Sequence, residues 1–94
     1  MDQELNSTLD QIASKEDVKG VLLADEMGLC LGARGIAKSD AAANAAAIAR
    51  TARELALPSL EDQDKSQYPT ITLAFEHSKV VIRNEGSFTL AIFM

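Results

Sequence analysis

The sequence predicts an α+β domain in which a five-stranded antiparallel sheet carries helices, and three observations lead there. An apolar stretch punctuated by glycine, "VKGVLLADEMGLCLGARG" at residues 18–35, reads as two strands about a turn. Residues 39–57, "SDAAANAAAIARTARELAL", hold the strongest helical periodicity in the chain. Residues 70–93 alternate apolar and polar three times, as "TITLAFE", "KVVIRN" and "SFTLAIF", with short polar turns between. Helix, hairpin, helix and meander in that order describe one sheet with helices packed on it.

Taken in order, residues 2–14 place Leu5, Leu9, Ile12 and Ala13 at helical spacing with acids in the first turn, which predicts a short amphipathic helix. In the stretch that follows, Gly28, Gly32 and Gly35 raise the question of a phosphate loop. Such a loop needs a Lys-Ser/Thr pair after its glycines or G-x-G-x-x-G spacing; here the spacing is G-x-x-x-G-x-x-G and no such pair follows. A hairpin is expected instead, closed by Gly28, with Asp25 and Glu26 initiating the turn. Its second strand is expected to set Leu29, Leu31 and Ala33 on one face and Cys30, Gly32 and Arg34 on the other. In the first strand Val21 and Leu23 oppose Leu22 and Ala24, so the sheet is apolar on both sides there. Either the first helix or a partner must cover the second face.

The long helix is expected to open at Ser39 and Asp40 as caps and to run to Leu57, where Pro58 stops it. Residues 58–69, "PSLEDQDKSQYP", read as a flexible acidic loop. The three C-terminal strands direct inward Ile71, Leu73 and Phe75, then Val80 and Ile82, then Phe88, Leu90 and Ile92, with "HS" and "NEG" as turns. Projected at 100° per residue, the long helix shows two apolar stripes roughly 90° apart: Ala41, Ala45, Ile48, Ala52 and Leu55, and Ala42, Ala46, Ala49 and Ala56. A helix on its own sheet needs one stripe, and the first is expected to face it. The second is then either a surface for another helix or simply alanine's helix preference.

The 94 residues make one domain, 1–94, of a size that hides only about 60 to 65% of its unfolded surface. One cysteine, Cys30, excludes an internal disulfide and gives no support for secretion. No apolar run has the length of a membrane span and neither lipidation signal is present, so any membrane address is expected to come through partners. A net charge of -5 with dispersed Lys and Arg disfavours nucleic acid. His77, the single histidine, sits beside Ser78 in a tight turn, where neighbours rarely face one another as base and nucleophile must. One Cys and one His at unrelated positions imply no metal, and no cofactor is expected. Arg34, between Gly32 and Gly35, is either a base for a partner's carboxylate or a solvated strand end.

The strand ending in Asp25, then Gly28-Leu29-x-Leu31-x-x-Arg34-Gly35, then the alanine-rich helix and the meander, resembles the roadblock superfamily, and within it the family of the hepatitis B X-interacting subunit of the Ragulator complex. The resemblance spans residues 18–56 well and the meander more loosely. A chain that stops after its last strand is similar to that family rather than to relatives that continue into a C-terminal helix. The resemblance implies a roadblock/profilin-like fold and a non-catalytic scaffold. It implies pairing with another roadblock-fold subunit through Ala42, Ala46, Ala49 and Ala56 of the second stripe, Arg53 of the same helix, and Thr70, Ile71, Thr72, Leu73 and Ala74 of the third strand. It further implies a lipidated scaffold subunit on the lysosomal surface, contacted through Leu22, Ala24 and Arg34, and Rag GTPases recruited for amino-acid signalling to the target-of-rapamycin kinase. The other readings are a GTPase-activating or dynein-type roadblock module and a small-ligand sensor. Aromatics at 4% argue against a sensor pocket.

Overall fold

The computed structural model describes residues 2–55 and 70–94. Its elements are α1 (Asp2–Ala13), β1 (Gly20–Asp25), β2 (Cys30–Gly35), a 3-10 turn (Ser39–Ala41), α2 (Ala42–Arg53), β3 (Thr70–Ala74), β4 (Lys79–Asn84) and β5 (Phe88–Phe93). The strands form one antiparallel sheet in the order β2-β1-β5-β4-β3, and no helix follows β5 within these 94 residues.

The helices lie on opposite faces. Beneath α2, Leu22, Ala24, Ile82 and Ala91 are buried against Ala42, Ala45, Ala46 and Ala49. On the other face Leu9 of α1 is buried with Val21 and Leu23, and Leu5, Ile12, Ala13, Phe88 and Leu90 pack around them. So α1 itself covers the second face of β1. A central strand covered on both sides has no solvent face to alternate with, which is why "GVLLA" is unbroken by a polar residue.

The hairpin forms as expected. Gly28 has φ +89, its amide donates to the Asp25 carbonyl at 3.0 Å, and Asp25 Oδ1 accepts from the amides of Met27 and Leu29 at 2.9 and 2.8 Å. The face assignment within β2 needs correction. Leu23 pairs with Gly32 but Ala24 pairs with Cys30, so Leu31 is an extra residue in a bulge. The bulge reverses the alternation: Leu31 packs on the α1 side, while Cys30 and Ala33 pack on the α2 side. Leu29 precedes the strand and is 64% exposed.

The start of α2 also differs from expectation. Ser39 and Asp40 occupy the 3-10 turn, and neither that turn nor α2 has a side-chain cap hydrogen bond. At the other end Glu54 and Leu55 donate to the Thr51 and Ala52 carbonyls, a tightened last turn that ends regular helix at Arg53. The expected continuation to Leu57 and the acidic loop 58–69 lie outside the described residues. Phe75 falls just past β3 and is exposed rather than inward-facing.

Candidate pairing surface

The two edges of the sheet are built differently. At β3 the Phe75 amide donates to the Ser78 carbonyl at 2.8 Å, closing the hairpin with β4. Antiparallel alternation then assigns the bonded pairs to Leu73/Val80 and Ile71/Ile82, so Thr70, Thr72 and Ala74 turn their N–H and C=O groups away from β4. Their side chains are exposed, the register is unbroken, and no strand among the described residues lies beyond them. The other edge is blunted. β2 carries the Leu31 bulge, and the Ala33 carbonyl accepts from Arg34 Nη1 at 3.0 Å.

Beside the open edge, α2 presents a shallow apolar hollow of about 370 Å3 lined by Ala47, Ile48, Thr51, Ala52 and Leu55. Leu55 is 81% exposed. Ile48 joins this hollow to a smaller crevice over Leu73, Val80 and Phe93, so the helix face and the edge strand form one continuous surface.

The expected assignment of the two helix stripes does not hold: the second stripe is buried, and the first is split, with Ala45 6% exposed in the core and its Ile48, Ala52 and Leu55 end turned outward. Ala42, Ala46 and Ala49 are 1%, 4% and 0% exposed and lie in the chain's own core, whereas Ile48 and Ala52 are half-buried and Leu55 is exposed. The physical reason is volume. The sheet contributes the bulky partners, Leu22 and Ile82, and a helix can settle closely on them only through its small residues. Bulk on the helix was the misleading sign; bulk already present on the strands was the signal that could have found Ile48, Ala52 and Leu55. Among the other expected contacts, Thr70, Thr72 and Ala74 line the free edge, and Ile71 and Leu73 are half-buried toward α2. Ala56 lies outside the described residues. Arg53 sits in a polar cleft at the end of α2, away from the apolar hollow.

The residues expected to meet a scaffold subunit are engaged inside the chain. Leu22 and Ala24 are 1% and 0% exposed under α2 and have no surface to offer. Arg34 binds α1: its Nε donates to Asp10 Oδ1 at 2.7 Å and its Nη2 to Asn6 Oδ1 at 2.9 Å. Neither reading of Arg34 as a partner's base or a free strand end allowed for this intramolecular clamp. His77 and Ser78 are exposed in the β3–β4 turn. Among the described residues no group of three or more His, Cys, Asp or Glu is placed to hold a metal ion, and no helix is long and apolar enough to cross a membrane.

A five-stranded sheet with α1 and α2 on opposite faces and one open edge beside an apolar helix defines a roadblock-type domain. The fold is shared with Myxococcus xanthus MglB, at a TM-score of 0.78 and 18% identity, over 99% of this chain and 71% of that one. It is shared also with the Roadblock/LC7 domain from Streptomyces avermitilis, at 0.67 and 15%, over 93% and 72%. The particular family is shown by sequence. All of residues 1–94 match the family described as Ragulator complex protein LAMTOR5. The Ragulator complex protein LAMTOR5 homolog of Nematostella vectensis is 30% identical over 92 residues, covering 98% of this chain and 94% of the relative. The chain belongs to that family of Ragulator complex subunits.

Proposed function

We propose that the chain is a non-catalytic scaffold subunit of Ragulator that pairs with another roadblock-fold subunit through β3 and the outward face of α2. The observation that carries this is the open β3 edge running beside Ile48, Ala52 and Leu55. A strand added at β3 satisfies the outward groups of Thr70, Thr72 and Ala74 and extends the sheet into the partner. A helix from the same partner covers the apolar hollow. The pair is held by a lipidated scaffold subunit, which supplies the lysosomal address, and the assembly recruits Rag GTPases for amino-acid signalling to the target-of-rapamycin kinase.

Thr72→Pro tests the pairing. The Thr72 amide faces outward and donates nothing to β4, so proline leaves the chain's own ladder intact while removing a donor from the edge and obstructing an added strand. The melting temperature of the lone chain should move little, and recovery of the co-expressed roadblock subunit in a pull-down should fall at least tenfold. Full recovery with the variant would rule out β3 as the pairing edge.

A further inference from the structure

At the far end of α2 a polar cleft of about 110 Å3 lies between the last helical turn, the β1–β2 turn and the β4–β5 turn. Arg50, Arg53, Glu26, Asn84, Gly86 and Thr89 line it, with Ala46 at its base. Asn84 accepts the Gly86 amide through Oδ1 at 3.0 Å, which commits its oxygen and leaves its NH2 as a donor. Arg50 donates from Nη1 to the Glu26 carbonyl at 3.4 Å, a contact that steadies the guanidinium and uses one of its five N–H groups. Arg53 already has an interaction within the chain, so Arg50 carries the larger share of any new contact.

Two arginines in a last helical turn complement the helix dipole, and that alone accounts for their place in the sequence. It does not account for donors from separate elements converging on one space. The space suits a single carboxylate or phosphate group and falls well below the few hundred Å3 of a nucleotide-sized pocket.

We propose that this cleft receives the carboxylate of an acidic residue on a partner polypeptide. Met27, 86% exposed, is the chain neighbour of Glu26 in the cleft lining, so a polypeptide segment crossing this turn has an apolar side chain within reach beside its ion pair. A free anion gains nothing from Met27. The chain's net charge of -5 repels acidic partners at long range, so recognition rests on the local fork geometry of the guanidinium. Helical projection places Arg50 on the flank of α2 turned away from Ile48, which leaves the cleft accessible while β3 pairs.

The test is a nitrogen-15 NMR titration of the full chain. One arm uses an acetylated peptide of two glutamates flanked by leucines, and the other uses inorganic phosphate at equal ionic strength. The peptide should shift the Arg50 and Arg53 Nε–Hε resonances and the Gly86 and Thr89 amides to saturation, and phosphate should leave them in place. Arg50→Gln should weaken the peptide at least fivefold. Arg83→Gln, whose guanidinium pairs with Glu85 at 3.2 Å, should not change it. Arg50→Lys keeps the charge and loses the fork, and a partial loss is expected there even if Arg50→Gln misfolds. Equal shifts with phosphate, no shifts with either probe, or equal weakening by Arg50→Gln and Arg83→Gln would overturn the proposal.

Discussion

At the scale of single residues, the first hairpin shows what local chemistry makes legible. Asp25 and Gly28 announce a turn by type alone, and the two amides gathered by the Asp25 carboxylate together with the positive φ of Gly28 are what those types are good for. Gly32 is a different case, because its reason lies across the sheet. A Cβ there would stand 2.5 Å from Leu9 Cδ1, so the missing side chain is the dent into which α1 presses. Nothing near Gly32 in sequence reveals that, since Leu9 precedes it by more than twenty positions. Gly32→Val should therefore destabilise the chain by about 1 to 3 kcal/mol through overpacking, read as a lowered melting temperature. Leu9→Ala opens a cavity and by itself costs about 2 to 5 kcal/mol. Combined, the two changes should cost less than their sum, because the smaller side chain makes room for the larger one. Strict additivity in a double-mutant cycle would show that this contact is not why position 32 holds glycine.

At the scale of elements, each helix and strand was legible and the orientation of α2 was not. Periodicity resolves two apolar stripes roughly 90° apart, but it cannot say which one the sheet takes, because that depends on side-chain volumes contributed by strands far along the chain. The answer reverses the expected behaviour of two positions. Ala46 is 4% exposed over a core of Leu22, Ile82 and Ala91, so Ala46→Asp forces extra volume and a carboxylate into close-packed space; even with Arg50 and Arg53 in the cleft beside it, the melting temperature of the lone chain should fall sharply. Leu55 is 81% exposed, so Leu55→Asp should leave the melting temperature of the lone chain within a few degrees. In the pair, that carboxylate would be desolvated against the partner's helix, which costs several kcal/mol and about a hundredfold or more in affinity. Circular dichroism melting and a partner pull-down on both variants separate the two effects. An Ala46→Asp variant with an unchanged melting temperature that fails to pair would return the second stripe to the interface.

At the scale of the whole molecule, the sheet order decides what the chain can do, and the order was hidden because it depends on β1 pairing with β5 across most of the sequence. That pairing puts the first hairpin and the meander in one sheet and leaves β2 and β3 as its two edges. One edge is protected by a bulge and an arginine; the other keeps an unbroken register, is covered by none of the described residues and adjoins exposed apolar helix. A domain this small has little stability in reserve, so an open edge of that kind exposes the lone chain to strand-to-strand association. Sedimentation should show the isolated chain self-associating with concentration, and Thr72→Pro should hold it monomeric, since among the described residues β3 is the edge that offers a template. On the proposed pairing, the partner subunit is a ligand of the folded state alone, and at a hundred times its dissociation constant it would contribute about 2.7 kcal/mol. With about 4 to 8 °C per kcal/mol for a domain of this length, the melting temperature should rise by about 10 to 20 °C and should keep rising with the partner's concentration. A lone chain that stays monomeric at high concentration, with a melting temperature indifferent to the added subunit, would mean that the β3 edge is protected in solution and that pairing does not complete the fold.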